Sequence, residues 1–345
     1  MEKLRKILAR EEIRPYVIAE ISANHGGTLE NAKWLIESAK KSGADAVKLQ
    51  TFTADSITVN SSETNYLIPE SSNLWGGQNL WSLMKEAETP LAWHKELFEF
   101  ANSLDLEVFS TAYDTNAAIF LEEAGIRAIK VSSFDLINVP LLEYLSKRDL
   151  LVLISTGMSS TAELIAASNI FAHKKATTGF LQCTSSYPCS VQDVNINRHD
   201  QLKSLGFVTG YSDHTLGTIA ATLAICKGAL IFEKHITRAD QLTLDSEFSL
   251  DETQFKKYVE TIRNSFLALG DFEFSPTISE TASLWERPSV IALQNIGIGE
   301  TLSLSNIGIR RPSLGADPKF FNGLIGRPSE FSLKKGEGWP KPKIS

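Results

Sequence analysis

The sequence predicts a (β/α)8 barrel followed by a small β-rich domain. Short, nearly continuous apolar runs alternate with helical segments over roughly 270 residues, as in barrels whose strands are buried on both faces. Nearly every run also ends in polar residues, which in such barrels meet at one rim. A doubly wound sheet fits the alternation as well, but no glycine-rich dinucleotide or Walker fingerprint follows a strand.

Eight apolar runs are predicted to form the strands of the barrel. They lie at residues 16–20, 46–49, 107–110, 128–131, 151–155, 179–183, 206–209 and 229–232. Each run has the length of an ordinary strand.

Residues that can begin or end a helix lie between the apolar runs. Thr28 can cap a helix that continues to Ser42. Thr89-Pro90 and Asp114 mark the starts of two more helices. Ser249, with Glu252 three residues later, has capping-box spacing before a long helix that ends at Gly270. The predicted helix starts are therefore Thr28, Thr89, Asp114 and Ser249.

Two stretches interrupt the rhythm. Residues 53–88 form a long insertion after the second strand. Loops of this length in barrels usually cover the site, and a packed surface excursion is the alternative. Residues 271–286 form an aperiodic, polar linker candidate, and short strands are predicted after it at 289–293, 301–302 and 307–311. We therefore expect a barrel domain at 1–275, a linker at 276–286 and a small domain at 287–345.

The composition narrows the class of protein. The 345 residues carry a net charge of −7, which disfavours nucleic acid as a partner. No apolar stretch reaches the ~20 residues that span a bilayer, and the charged first 14 residues do not resemble a signal peptide. Three cysteines fit no zinc or disulfide spacing. We expect a cytoplasmic protein with reduced thiols and no membrane partner.

Lys48 and Lys130 are the most informative residues at the strand ends. A lysine on a buried strand needs a negative partner, and two lysines among hydroxyls suit a bound phosphate. Any single serine or threonine at a strand end is better explained as a hydrogen-bond partner of an otherwise unpaired backbone group.

The sequence places His94, His173 and His199 on helices or loops, and these three histidines are expected to face solvent.

His214 and His235 follow two neighbouring predicted strands. Their imidazoles would meet at one rim, where two neutral rings with water and substrate oxygens could hold a divalent metal ion. Glu20 and Asp245 lie at the same rim, as general bases or as residues that orient the ligands. Sequence alone leaves these two roles open.

Seven segments of the chain resemble the sialic acid synthase family, in the family's order and over almost the whole length. They read IAEISANHGG (18–27), AVKLQT (46–51), KVSS (130–133), ISTGM (154–158), QCTSSYP (182–188), GYSDHTLG (210–217) and EKHIT (233–237). The resemblance implies an enzyme that condenses phosphoenolpyruvate with an acylamino sugar. It also implies a (β/α)8 TIM barrel followed by an antifreeze-like (SAF) domain.

The resemblance also implies roles for single residues. The set that would hold phosphoenolpyruvate is Lys48, Thr111, Lys130, Ser133, Ser155 and Ser212. The set that would face the sugar or the reacting centre is Glu20, Asp135, Ser185, Tyr187 and Asp245. His214 and His235 would bind Mn²⁺ or Mg²⁺. Arg311 would reach the partner's barrel in a domain-swapped homodimer.

Within the family, residues 74–77 (LWGG), Trp81, residues 85–94 and Ser185 are most similar to the pseudaminic acid synthases. The implied acceptor is 2,4-diacetamido-2,4,6-trideoxy-L-altrose. N-acetylmannosamine or a legionaminic acid precursor is the alternative, and a metal-dependent isomerase or aldolase or a sugar-binding protein are rivals of other classes. Two segments depart from the family: residues 239–245 lack a glycine-rich turn, and Ser313 stands where glycine is usual.

Overall fold

Eight parallel strands close into a barrel in the first of the two units that make up the computed structural model. The units span Met1–Gly270 and Asp271–Ser345, and the structure describes residues 1–72 and 74–341. The last four residues of the predicted small domain, 342–345, lie outside the described residues.

The strands follow one another around the barrel in chain order, and β8 pairs with β1 to close it. Their bounds are β1 Tyr16–Glu20, β2 Ala46–Thr51, β3 Glu107–Ala112, β4 Ala128–Val131, β5 Leu151–Ser155, β6 Thr178–Cys183, β7 Val208–Asp213 and β8 Ile231–His235. The predicted barrel is confirmed.

Helices separate the strands. Their bounds in the first unit are α1 Glu2–Leu8, α2 Leu29–Lys41, α3 Ala54–Ile57, α4 Leu80–Ala87, α5 His94–Ser103, α6 Thr115–Glu123, α7 Val139–Ser146, α8 Thr161–Ile170, α9 Arg198–Ser204, α10 Ile219–Cys226 and α11 Glu252–Ala268. Among the described residues, no helix combines the length and the apolar character needed to cross a membrane.

The last two barrel strands begin and end later than predicted. Gly206 and Gly228 both have positive φ, 82° and 92°, so they form turns before the strands begin. At the other end, pairing with neighbours continues through polar residues: Asp213 pairs with Lys234, and Glu20 pairs with His235. His235 is therefore the last residue of β8, and His214 directly follows β7.

Two of the predicted helix caps are confirmed and two are wrong. The Thr28 hydroxyl accepts a hydrogen bond from the Asn31 amide, and Asp114 accepts one from Ala117. Helix α11 is instead capped by Asp251, which forms a capping box with Gln254, because the helix begins at Glu252. Its predicted cap, Ser249, binds other partners: its hydroxyl donates to the Asp245 carbonyl and accepts from Asn24.

The predicted start at Thr89 is also displaced. A 3₁₀ turn occupies Leu91–Trp93, and α5 begins only at His94. The Thr89 hydroxyl lies 3.2 Å from His25 Nε2 rather than capping the helix.

The prediction that His94 and His199 face solvent is wrong, because both rings are fully buried. His94 Nε2 lies 2.8 Å from the Thr51 hydroxyl, and His199 Nε2 lies 2.9 Å from the Thr209 hydroxyl. Each ring ties a helix to a barrel strand, and burial lowers the pKa of His199 to about 4. His173 is exposed, as predicted.

The second unit has its own small core. Strands β9 Ser289–Ala292 and β10 Ile307–Arg310 pair antiparallel, and Thr301 bridges to Pro328. A short helix, α12, spans Phe321–Leu324. The buried residues are Val290, Ala292, Ile296, Leu302, Ile307, Ala316, Leu333 and Trp339. The segment predicted to be aperiodic contains a 3₁₀ helix, Ile278–Glu286, which Thr277 caps through a box with Glu280.

The packing of β7 against β8 leaves no room for a side chain at Gly210. A Cβ on Gly210 in β7 would collide with the backbone of Ile231 in β8 and lie 2.8 Å from its Cβ. We expect Gly210→Ala to lower the free energy of unfolding by about 3 kcal/mol, measured by urea denaturation.

Gly217→Ala is the matched control, because Gly217 is exposed and a Cβ there meets nothing within 4 Å. Its free energy of unfolding should change by no more than about 0.5 kcal/mol. Equal losses in the two variants would contradict the close packing of β7 against β8.

Candidate functional site

A cavity of about 740 Å³ opens at the carboxyl ends of the barrel strands. It has the size of a small-molecule site. Its lining includes every predicted site residue except Arg311: Glu20, Lys48, Thr111, Lys130, Ser133, Asp135, Ser155, Ser185, Tyr187, Ser212, His214, His235 and Asp245. Arg311 belongs to the second unit, where its side chain is 72% exposed and lies 3.8 Å from Glu286.

Two lysines and two glutamates form a buried charge cluster at the floor of the cavity. Lys48 Nζ lies 2.5 Å from Glu20 Oε2 and 3.7 Å from Glu233 Oε1. Lys130 Nζ lies 3.9 Å from Glu233 Oε2. All four side chains are buried, so each charge depends on the others for compensation.

Burial and the neighbouring charges shift the pKa values of these groups. Burial raises the pKa of Glu20 to about 7, although Lys48 acts in the opposite direction. Burial would lower the pKa of Lys48, but Glu20 and Glu233 hold it above its ordinary value. Burial lowers the pKa of Lys130, with Glu233 opposing. Near neutral pH, Glu20 is therefore present in both protonation states, so it can exchange a proton.

Hydroxyl groups extend the cluster along the rim. Lys48 donates to Thr111 at 2.7 Å, and Lys130 donates to Ser155 at 2.5 Å. Ser212 donates to Glu233 at 3.3 Å. The Glu233 Oε2 atom is buried and has no hydrogen-bond partner among the described residues, so this floor retains unused polar capacity.

Glycine at position 157 lets two more hydroxyls approach each other. The Gly157 amide donates to the Ser133 hydroxyl at 3.0 Å, and a Cβ at this position would collide with the Ser185 hydroxyl. The Ser133 and Ser185 hydroxyls therefore lie close together beside the end of β5, where they can donate to anionic oxygens.

His214 and His235 lie side by side at the ends of β7 and β8, with ring centroids 5.4 Å apart. His214 Nδ1 lies 3.0 Å from the Thr184 carbonyl, which fixes its proton on Nδ1 and leaves the Nε2 lone pair free. Burial lowers the pKa of His235 well below its ordinary value, and its Nδ1 has no hydrogen-bond partner within residues 1–72 and 74–341. Burial would also lower the pKa of His214, but the neighbouring Cys183 holds it above its ordinary value. In their neutral forms the two rings offer lone pairs that are suitable ligands for a divalent ion.

These two histidines do not by themselves complete a metal site. Across residues 1–72 and 74–341, no three side chains of His, Cys, Asp or Glu are grouped to hold an ion. The remaining ligand positions of an ion held here would fall to water and substrate oxygens, so the pair fits the predicted open site.

Acidic and aromatic groups form the side of the cavity next to the histidines. Asp245 accepts hydrogen bonds from the Ser22 hydroxyl and, at 3.4 Å, from the Ala23 amide, and it lies 3.9 Å from His235 Nδ1. Burial raises its pKa. Asp245 thus reaches the cavity without the usual glycine-rich turn. The Tyr187 ring lies 4.3 Å from the His214 ring.

Asp135 is held separately, at the end of β4. Ser132 donates to its carboxylate at 2.5 Å, and burial raises its pKa despite that bond. It faces the cavity as a half-buried acidic group.

A second buried network holds the histidines from the outside of the barrel. Lys234 Nζ donates to the backbone carbonyls of Asp213 and Thr215, on either side of His214. Tyr258, in α11, donates to the Asp213 carboxylate at 3.0 Å. The residues that precede the two histidines are therefore tied to each other and to a helix.

Sequence reasoning missed several residues of this site, among them Glu233, Gln50, Ser22 and Cys183. Glu233 lies two residues before His235, and the two-residue period of a strand places both side chains inside the barrel. The same period relates Gln50 to Lys48, and Gln50 donates to Glu20 at 3.1 Å. Ser22 binds Asp245, and Cys183 Sγ lies 3.7 Å from His214 Nδ1. Only the first two carried a usable signal.

The insertion supplies the remaining wall. Trp75 lies 6.0 Å from the Tyr187 ring and 6.3 Å from the Phe248 ring. The insertion is not an irregular loop. Residues 53–88 contain helices α3 and α4 and a 3₁₀ turn at Thr64–Tyr66. The prediction that this segment covers the site agrees with its share of the cavity lining.

Comparison with known proteins gives consistent similarities. The model of the NeuB family matches residues 35–274. Pseudaminic acid synthase of Helicobacter pylori is 37% identical over 325 residues, which cover 93% of this chain and 95% of that protein. N,N'-diacetyllegionaminic acid synthase of Legionella pneumophila is 34% identical, covering 93% of this chain and 92% of that protein.

A solved structure is also similar. The N-acetylneuraminic acid synthetase of Leptospira borgpetersenii, in complex with citrate, superposes with a TM-score of 0.69 at 30% identity. The match covers 79% of this chain and 90% of that chain. The names of these three relatives thus refer to three different sugar acids.

Proposed function

This chain belongs to the NeuB family of sialic acid synthases, and we propose that it condenses phosphoenolpyruvate with an acylamino sugar. The observation that carries the proposal is the buried cluster of two lysines and neighbouring hydroxyls beside a histidine pair. The product would be a nine-carbon 2-keto acid, with phosphate released.

The lysine floor suits the phosphoenolpyruvate anion. Lys48, Lys130, Thr111 and Ser155 already form two charge-assisted donor pairs, at 2.7 Å and 2.5 Å. Ser133 and Ser212, which also line the cavity, would complete the shell around phosphate and carboxylate oxygens. Such preformed donors also stabilise the charge that develops on the tetrahedral intermediate, before phosphate leaves.

Glu20 is suited to move a proton. In the proposed reaction, the C3 carbon of the enol attacks the sugar aldehyde and water adds to C2, so protons must be taken up and released. With a pKa of about 7, Glu20 can do both at neutral pH. Asp245 and Asp135 would orient the sugar through their carboxylates, and Tyr187 and Ser185 would contact it from the same side.

His214 and His235 would hold a Mn²⁺ or Mg²⁺ ion. Bound there, the ion would supply Lewis-acid polarisation of the sugar aldehyde. The Thr184 carbonyl on His214 and the packing of His235 against Phe248, at 4.8 Å between rings, would keep both imidazoles oriented.

For the sugar, we propose 2,4-diacetamido-2,4,6-trideoxy-L-altrose, so that the product would be pseudaminic acid. The support is the 37% identity to the Helicobacter pylori enzyme and the LWGG segment of the insertion. Legionaminic acid or N-acetylneuraminic acid synthesis is the alternative, because relatives with those names also match over most of the chain.

A phosphate-release assay tests this function. Phosphoenolpyruvate is offered with each acylamino sugar in turn, with Mn²⁺ and again after chelation. We expect phosphate release only with sugar and metal together, and the highest kcat/KM with the 2,4-diacetamido-6-deoxy sugar.

The outcomes of this assay separate the alternatives. Equal turnover after complete chelation would refute the metal assignment, and preference for N-acetylmannosamine would refute the proposed sugar. An isomerase or aldolase would release no phosphate from phosphoenolpyruvate, and a sugar-binding protein would turn over neither substrate.

We further propose that the second unit is an antifreeze-like (SAF) domain and that the protein is a domain-swapped homodimer. Arg311 would contact the acylamido carbonyl of a sugar bound in the partner's barrel, through a planar donor fork. The exposure of its side chain leaves the guanidinium available, at 3.8 Å from Glu286. Ser313 has no positive φ, so the loss of glycine there costs no backbone strain.

Mixing two inactive variants tests the shared site. Lys48→Met removes a barrel residue and Arg311→Ala removes the residue proposed to act across the dimer. Mixed dimers would contain one barrel with intact Lys48 that receives an intact Arg311, so up to half of the sites should work. If subunit exchange is demonstrated by mass spectrometry and activity stays absent, Arg311 does not act across the dimer.

A further inference from the structure

The cavity has two chemically different walls. The barrel rim contributes the charged and hydroxyl groups described above, whereas the insertion contributes mostly apolar side chains. The apolar residues that line the cavity from residues 53–88 are Ile57, Ile68, Trp75, Leu80, Leu83, Met84 and Ala87. Among the residues of this segment that the structure describes, 53–72 and 74–88, only Ser56 and Ser72 are polar members of the lining. We call the apolar set the insertion wall.

The insertion wall is held in place by packing on a buried cluster and by hydrogen bonds within the insertion. Ile57 and Met84 pack on a small buried cluster of Ala23, Phe52 and Ala87. The Trp81 indole donates to Asp55 at 2.8 Å, so α4 is tied to α3. The Ala54 amide donates to Glu88 at 2.5 Å and joins the two ends of the segment. The wall is therefore preformed.

Several side chains of the wall are only partly covered by other residues of the protein. Ile57, Ile68, Leu80 and Met84 are only half-buried, although they line an interior cavity. An ordinary core residue would be covered on all sides. Because all four residues line the cavity, they can contact a molecule that is bound in it.

Such a wall discriminates between substituents of a bound sugar. It offers contact to methyl groups, but few donors or acceptors to a hydroxyl that loses its water on binding. The polar ends of phosphoenolpyruvate and the aldehyde are accounted for at the opposite wall. The group that meets the insertion wall is therefore the far end of the acceptor sugar.

We propose that the insertion wall is the sugar-selecting element of this enzyme, with Ile68 and Met84 as its specificity-determining residues. It selects an acceptor whose far end carries a methyl group at C6 and acyl methyl groups over one with a C6 hydroxyl. This inference rests on the proposed condensation and adds the means by which the sugar is chosen.

The test uses two acceptors that differ by one oxygen: 2,4-diacetamido-2,4,6-trideoxy-L-altrose and its 6-hydroxy counterpart. We expect wild-type enzyme to favour the 6-deoxy sugar in kcat/KM by about 10- to 100-fold, the range for a single group in an apolar pocket. In Met84→Gln and in Ile68→Thr, which add polar atoms to the wall, this ratio should fall by about 10-fold. The KM for phosphoenolpyruvate should stay within about twofold, since the opposite wall is unchanged.

Two control variants separate selection from general damage. Met84→Leu keeps the wall apolar and should keep the wild-type ratio. Val59→Gln adds the same amide on the same segment, but Val59 is 60% exposed and does not line the cavity. It should also keep the ratio. Thermal unfolding of all variants shows whether each is folded at the assay temperature.

The result also separates this inference from the proposed function. If wild-type enzyme releases phosphate with an acylamino sugar but Met84→Gln and Ile68→Thr keep the wild-type ratio, the wall does not select the sugar and the function stands. The same conclusion follows if both acceptors lose activity equally. If wild-type enzyme releases phosphate with neither acceptor nor any other acylamino sugar, the proposed function fails and this inference fails with it.

Discussion

The burial of two lysines against two glutamates at the mouth of the barrel is the interaction on which the rest of the site depends. Lys48 lies between Glu20 and Glu233, and Lys130 shares Glu233 with it. Four charges away from water are tolerated only because each has an opposite neighbour. The two lysines also provide positive charge at the floor of the cavity. An anion that binds there can replace the carboxylates as their ion-pair partner.

The barrel makes this cluster possible by its register. Parallel strands bring their carboxyl ends to one rim, so residues far apart in the chain become neighbours: Glu20 pairs with both Lys48 and His235. Alternation along each strand then sorts the polar residues. Glu233 and His235 face the cavity, while Lys234 between them serves the outer network with Asp213 and Tyr258. The interior residues line the cavity, and the exterior ones hold the strand ends in place.

The sequence predicted the barrel and most of the rim, because both follow from local patterns of apolar runs and the polar residues that end them. The sequence missed Glu233, although the two-residue period from His235 could have revealed it. It could not reveal the insertion wall, because the packing of Ile57 and Met84 on the cluster of Ala23, Phe52 and Ala87 depends on how distant segments meet. It also misplaced the α11 cap, since Ser249 and Asp251 are both good capping residues and tertiary partners decide between them.

The central claim is that the buried lysines bind the phosphoenolpyruvate anion and that Glu20 compensates the added charge by taking up a proton. Calorimetry of phosphoenolpyruvate binding, at about pH 7.5 in two buffers of different ionisation enthalpy, measures both affinity and protons. With a pKa of about 7, Glu20 is mostly ionised at that pH, and a bound anion would raise its pKa further. We predict net proton uptake in wild type, no such uptake in Glu20→Gln, and greatly weakened binding in Lys48→Met and Lys130→Met. Wild-type affinity in both lysine variants would contradict the account.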